Sequence, residues 1–359
     1  MKTTLQLILL SLLLASATVS RAADFTSTWN GGTANWTSAA NWSTPGAPGT
    51  FPNNGGSTYD AIQSAGTITL DQNITIQKFT LSGGILTGAN TLTLNDTLSW
   101  SGGAMDGAGG ITNLLGNSTL SGSADKQVTN NRTVNNGDGV NAVTASWTGG
   151  NFMLHQNSIF NNKANATFDA TSDGLINGFG AYTFNNAGTF TKSGGSGTTN
   201  VTGFAPTFNN TGIVNVNSGT LSLAGGTSTG VFNVASGKTL QFSGSQTLTA
   251  ASSVTGAGNL NFSGGSTTMS GTYALTGALS ANGGSGDIVV GSATATSINI
   301  SSGAININTG TLTTSTLDLS GGTLGGSGTV NVSGAATWTN GTMTGTGTTN
   351  ILGGMTMSG

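Results

Sequence analysis

Residues 298–332 read INISSGAININTGTLTTSTLDLSGGTLGGSGTVNV, and this stretch decides the fold. Apolar residues stand two apart in Ile298/Ile300, Ile305/Ile307, Leu317/Leu319 and Val330/Val332, with Asn or Asp between them. Alternate side chains of a strand share one face, so each pair points two residues into a core and leaves its polar neighbour outside. Gly303, Gly310, Gly322 and Gly325-Gly326 separate the pairs and supply the turns.

Working outward, the same short pairs recur at Leu221/Leu223, Phe232/Val234, Leu240/Phe242 and Leu260/Phe262. Small-residue turns centre on Gly225, Gly244, Gly264, Gly283, Gly303, Gly322 and Gly341, at successive spacings of 19, 20, 19, 20, 19 and 19. The mark recurs earlier at Gly83 and Gly102, again 19 apart. Between these regions the repeat lengthens: Phe160-Asn161-Asn162, Phe184-Asn185-Asn186 and Phe208-Asn209-Asn210 are 24 residues apart, with Val134-Asn135-Asn136 an earlier member at 26. Strands this short are stable only when stacked on their own repeats. Every period repeats one order of strand and turn, so the stacking is parallel. An up-and-down barrel would need antiparallel strands near ten residues and no such period.

The fold expected is therefore all-β, a right-handed parallel β-helix (β-solenoid) with short strands and Gly/Asn-rich turns. Taken from about Ala65 to the end, it holds roughly 13–14 coils and, at ~4.8 Å per strand, spans about 65 Å. Identical residues would stack once per coil, giving a Phe ladder inside and Asn ladders at a turn. Disorder, the other meaning of Gly/Ser/Thr richness, does not explain the regular large apolar residues.

The ends differ. Residues 1–23 read as a signal peptide: Lys2, an apolar run from Leu5 to Leu14, then small-residue cleavage sites at Ala15-Ser16-Ala17 and Ser20-Arg21-Ala22. That run is too short to span a bilayer, so no transmembrane span is expected in the mature chain. Residues 24–64 carry Trp29, Trp36, Trp42, Phe51 and three of the four prolines but no repeat, and read as an N-terminal cap. The competing reading makes Trp29, Trp36 and Trp42 an exposed aromatic platform for glycan rings. Residues 65–359 form the solenoid, which stops inside its repeat at Met355–Gly359 and is expected to continue further.

Charge is scarce. There are 8 Lys and Arg against 11 acidic residues, all Asp, and the chain lacks both Glu and Cys. No basic stripe suggests nucleic acid as a partner, and a long cysteine-free exported chain suggests a bacterial source.

The stretch Trp29-Asn30-Gly31-Gly32-Thr33-Ala34-Asn35-Trp36, with Ala40-Asn41-Trp42, resembles the start of bacterial surface proteins with autotransporter-associated β-strand repeats. Leu317-Asp318-Leu319-Ser320-Gly321-Gly322-Thr323-Leu324 and Gly328-Thr329-Val330-Asn331-Val332 are similar to their repeats, and to coils of filamentous-haemagglutinin-like adhesins. The resemblance implies a passenger-type right-handed β-helix with a surface or adhesive role. The translocator or sorting domain it also implies has no counterpart in the chain.

Enzymatic β-helices gather carboxylates and basic groups on one outer face. The nearest match is residues 125–173, with Asp125, Lys126, Arg132, Asp138, the single histidine His155, Lys163, Asp169 and Asp173. It shows no paired or triad spacing, so no catalytic residue is assigned. Gly283-Gly284-Ser285-Gly286-Asp287 is a lone, offset version of a calcium-binding turn, and no metal or cofactor is expected. Thr67/Thr69, Thr91/Thr93, Thr247/Thr249 and Thr294/Thr296 raise an ice- or crystal-binding face, interrupted by Ser, Asn and Gln. The function expected is a non-enzymatic, exported surface or secreted structural or adhesive protein contacting glycans or other cell-surface polymers. End-to-end or lateral self-association is open. The alternative is a carbohydrate-active β-helix enzyme.

Overall fold

The computed structural model describes residues 22–358. The expected signal segment therefore lies almost wholly outside the described residues. What is described is 58% strand without an α-helix, a parallel β-solenoid of about 15 turns. Among the described residues no helix is long and apolar enough to cross a membrane.

Each coil contributes up to three short strands to three parallel stacks. Face A begins with Phe25–Trp29 and continues through Tyr59–Gln63, Lys78–Leu81 and Leu98–Trp100. Face B begins with Thr33–Asn35 and continues through Thr67–Thr69, Ile85–Thr87 and Gly103–Met105. Face C begins with Ile74–Ile76, followed by Thr91–Leu94, Ile111–Leu114 and Thr133–Asn136. Along most strands the alternation expected from the sequence holds: Leu92 and Leu94 are buried while Thr91 and Thr93 are half-exposed. Towards the C-terminus the corners themselves become extended, so Leu279–Leu319 runs 41 residues as one strand around more than two coils.

Two glycine marks that look equivalent in sequence serve different corners. Gly83 and Gly102 lie between faces A and B, whereas the series from Gly225 to Gly341 lies between faces B and C. At Gly303 the need for glycine is explicit: φ is +79°, and an added Cβ would strike the Gly284 carbonyl of the preceding coil.

Coil length follows core volume. Through the 24-residue coils, Phe160, Phe184 and Phe208 stack inside face C at 4.9 and 5.3 Å, and Phe168 lies 5.4 Å from Phe190 inside face A. Edge-to-face contacts of 5.3–5.7 Å interlock the two columns. In the shorter coils near residue 300 the same space is filled by Ala293, Ala295, Ile298, Ile300, Ile305 and Ile307.

Beside the Phe column runs a buried amide column. Asn136 donates to Asn162 Oδ1 (2.9 Å), Asn162 to Asn186 (2.7 Å), Asn186 to Asn210 (2.8 Å), and Asn210 to the Ser228 hydroxyl (3.3 Å). The same Nδ2 groups also donate to carbonyls opening the face A strands, such as Thr189 (2.9 Å) and Ile213 (2.9 Å). The buried ladder thus satisfies the C-to-A corner, where a coil's backbone would otherwise lose partners.

Residues 24–64 do not stand apart from the solenoid: they form its first coil, because Phe25–Trp29 and Thr33–Asn35 already pair in parallel with the next coil. That added coil is one reason the turn count exceeds the 13–14 expected. The covering piece is smaller, the return strand Trp42–Ser43, which pairs antiparallel with Thr28 and Trp29. Asn53 and Asn54 meanwhile bond to Thr75 along the edge of face C.

Replacing Asn162 by Leu should cost about 2–4 kcal/mol, because the acceptors on Asn186 and Thr189 are left buried without a donor. Asn161→Ala, on the outer side of the same strand, should cost under about 1 kcal/mol, since water can replace its bonds. Urea midpoints at unchanged slope measure both, and equal losses would contradict the buried ladder's role.

Candidate functional site

The three tryptophans proposed as a glycan platform are core residues. Trp29, Trp36 and Trp42 are 3, 0 and 5% exposed. Trp42 packs on Trp29 at 5.1 Å and on Trp36 at 4.9 Å, and its indole N–H donates to the Trp36 carbonyl (2.7 Å). The Trp36 indole donates to the Pro52 carbonyl (2.7 Å). A sugar needs an open ring face, and none of the three offers one. Trp29 and Trp36 belong to the first coil, and Trp42 of the return strand packs against both.

The charged residues of 125–173 are not brought together. Lys126 and Arg132 point inward. Lys126 Nζ donates to the Gly122 and Ala124 carbonyls (3.1 and 2.8 Å), and burial pulls its pKa down against the opposing pull of Asp125. Arg132 donates to the Asp106 and Gly88 carbonyls (2.7 and 3.2 Å) and to the Thr112 hydroxyl. Burial lowers its pKa to about 10, partly offset by Asp106, which leaves it charged at neutral pH. Asp173 lies at an A-to-B corner, its pKa lowered first by the buried Lys192 at 2.7 Å and also by the Gly197 N–H. Asp138 closes its own turn at the C-to-A corner, accepting from the backbone of Val140 and Asn141. Asp125 binds Asn151 at an A-to-B corner, Asp169 lies on face A, and His155 is at the B-to-C corner. Asp125 and Asp173 share the A-to-B edge two coils apart, with Asn151 between their coils and Asp173 ion-paired to Lys192, whereas Asp138, Asp169 and His155 lie on other corners and faces.

A carboxylate pair does arise elsewhere. Asp60 and Asp96 flank Lys78 on successive coils of face A, Lys78 lying 3.6 Å from Asp96. Burial raises the Asp60 pKa, Lys78 opposes it, and Asp96 adds to it. The four Thr-x-Thr pairs also scatter: Thr67/Thr69 stand on face B and Thr91/Thr93 on face C. Thr247 is on face C and Thr294 on face A, so the pairs do not build a single Thr plane. Asp287, of the candidate calcium turn, accepts from Asn306 (2.7 Å). Among the described residues no group of three His, Cys, Asp or Glu side chains is placed to hold a metal ion.

Face C, by contrast, presents an ordered outer surface. Its first outward column is Thr91, Ile111, Thr133, Ile159, Thr183 and Thr207, in register from coil to coil. Its second is Thr93, Asn113, Asn135, Asn161, Asn185 and Asn209. Four amide bonds of 2.8–3.0 Å join the five asparagines. This outer ladder donates towards the N-terminus, opposite in sense to the buried one. The B-to-C corner beside it carries Phe179 and Phe204, 78 and 72% exposed on successive coils. Large apolar rings so exposed are informative where an isolated surface Leu is not. The sequence signal was present: Gly178-Phe179-Gly180 and Phe204-Ala205-Pro206 break the two-residue alternation that holds the other Phe residues inside.

His155 fixes this corner. Its Nδ1 accepts the Phe179 N–H (2.8 Å), and its ring stacks on the Phe179 ring at 5.2 Å. The acceptor role requires the neutral imidazole, and burial lowers the His155 pKa against the pull of Asp125.

Among the described residues the chain defines a parallel β-solenoid whose face C carries an unbroken five-asparagine outer ladder beside two exposed aromatic rings. No family model, no curated protein and no solved structure matches it.

Because His155 is held neutral, the unfolded chain binds the extra proton first as pH falls. Its stabilising contribution is full above the ordinary value of 6.5 and is lost as pH drops through the lower folded value. Thermal unfolding between pH 7.5 and 5 should show a fall in midpoint that His155→Gln largely removes. An identical fall in both proteins would contradict the assignment.

Proposed function

We propose that this chain is an exported, non-catalytic surface or secreted protein, structural and adhesive, which contacts glycans through its long solenoid faces. One observation carries the reading: the ionic groups are scattered or used inside the fold, while a neutral amide and hydroxyl surface repeats from coil to coil. A surface of repeated weak contacts gains by multivalency what it lacks in a pocket. The signal-like segment at residues 1–23 and the resemblance to surface-protein repeats support export and display.

The runner-up, a polysaccharide-cleaving solenoid, draws support from the raised pKa of Asp60 beside Asp96. Lys78 between them favours an ion-paired, structural use of those carboxylates.

Incubating the mature chain with a panel of polysaccharides separates the two readings. Co-sedimentation without new reducing ends is expected, together with recovery of the native protein in the envelope or medium of its producing cells. Release of reducing ends that Asp60→Asn abolishes would overturn the non-catalytic reading, and an intracellular product would overturn export.

A further inference from the structure

Face C between Thr91 and Asn209 combines three features on the same coils, the first of them shared with face B. The first is charge. No outward position on this face carries a charge from Thr75 to Thr268, and Asp287 is the first. An ionic polymer would find no counter-charge here. A typical protein partner, with about a quarter of its residues charged, would bury charges against a surface unable to pair them.

The second is the state of the amides. Within the outer ladder each internal asparagine spends one N–H and one oxygen lone pair on its neighbours along the axis. The other N–H and lone pair remain, held by the ladder and offered outward once per coil. A donor–acceptor pair of this kind suits a hydroxyl group, which donates and accepts at once. The repeat is the strand spacing of ~4.8 Å, so the ligand that engages it best is itself a polymer.

The third is the aromatic edge. Phe179 and Phe204 lie on the coils of Thr183/Asn185 and Thr207/Asn209. Crossing the face from its corner therefore meets a ring, then the Thr183 or Thr207 side chain, then an amide. A pyranose has apolar C–H faces that pack on an aromatic ring and equatorial hydroxyls at its rim. The same order of groups is presented on both coils, and His155 anchors Phe179 through its N–H and its ring.

We propose that this strip of face C, edged by Phe179 and Phe204, binds a neutral glycan chain lying along the solenoid axis. This rests on the glycan-contact reading above and assigns it to one surface. The rings take the C–H faces of the sugars, and Asn161, Asn185 and Asn209 take hydroxyls. Affinity grows with the number of coils engaged and is insensitive to salt, because no ion pair forms.

The test uses the mature chain in co-sedimentation with microcrystalline cellulose, chitin, insoluble xylan and insoluble mannan as neutral probes, and a polyuronate gel as the anionic one. Binding to at least one neutral polymer is expected, undiminished between 0.05 and 0.5 M NaCl. Phe179→Ala with Phe204→Ala, which removes exposed rings and leaves the core intact, should weaken it tenfold or more. So should Thr183→Lys, while Thr191→Lys on outward face A should bind as the parent does. Circular dichroism and unfolding midpoints identify any variant that fails to fold, and the two face C variants serve as independent checks.

Neutral binding untouched by both face C variants would overturn the strip while leaving the glycan-contact function standing. Binding to no neutral polymer would overturn both. Self-association of the free chain, abolished by these variants and seen without glycan binding, would make the face a contact between copies and likewise overturn the proposal.

Discussion

A strand of three to five residues has too few backbone hydrogen bonds and too little buried surface to persist alone. Each coil here is held by the one before it and the one after it, and the stacking of like on like is the constraint from which the rest follows. Parallel register places Phe160, Phe184 and Phe208 in one column and Asn162, Asn186 and Asn210 in the next. The corners are where this scheme is most exposed, because a turning backbone leaves the ladder. The chain supplies those corners with glycines at positive φ, with the buried amide column, and with the three inward cations Lys126, Arg132 and Lys192.

Those cations explain how a chain so poor in charge uses what it has. A buried ammonium or guanidinium is costly unless its donors are matched. Each of these donates to carbonyls at a corner, and Lys192 also pairs with Asp173. Satisfaction of backbone acceptors accounts for these groups without a ligand. Charge spent in this way leaves faces that are flat, neutral and periodic.

Much of the architecture was legible in the sequence because a period-two alternation and a 19–24 residue repeat are independent signals that agree. The Phe and Asn columns could be read directly from Phe160-Asn161-Asn162 and its copies. Alternation also held the inward cations: Lys126 shares a face with Val128, Arg132 with Val134, and Lys192 with Phe190. Charge suggested surface, and register overruled it. The tryptophans of the first coil were ambiguous because an aromatic-rich, Pro-rich segment composes a core and a platform alike. Only the return strand at Trp42–Ser43 separates the two. Phe179 and Phe204 sit in corners, where neither period assigns a face.

The absence of cysteine makes the central claim, coil-on-coil parallel stacking in the stated register, directly testable by introduced pairs. Ile159 and Thr183 are register neighbours on adjacent coils, whereas Thr133 and Thr183 stand two coils apart. Neighbouring parallel strands place Cα atoms about 4.8 Å apart, within disulfide reach, and a two-coil separation of about 9.6 Å lies beyond it. Mild oxidation of the Ile159→Cys/Thr183→Cys protein should close an intramolecular disulfide, seen as a loss of 2 Da with both thiols blocked to alkylation (a mass shift set by disulfide chemistry). The Thr133→Cys/Thr183→Cys protein should keep two free thiols. Closure of the second pair in place of the first would contradict the register and the stacking built on it.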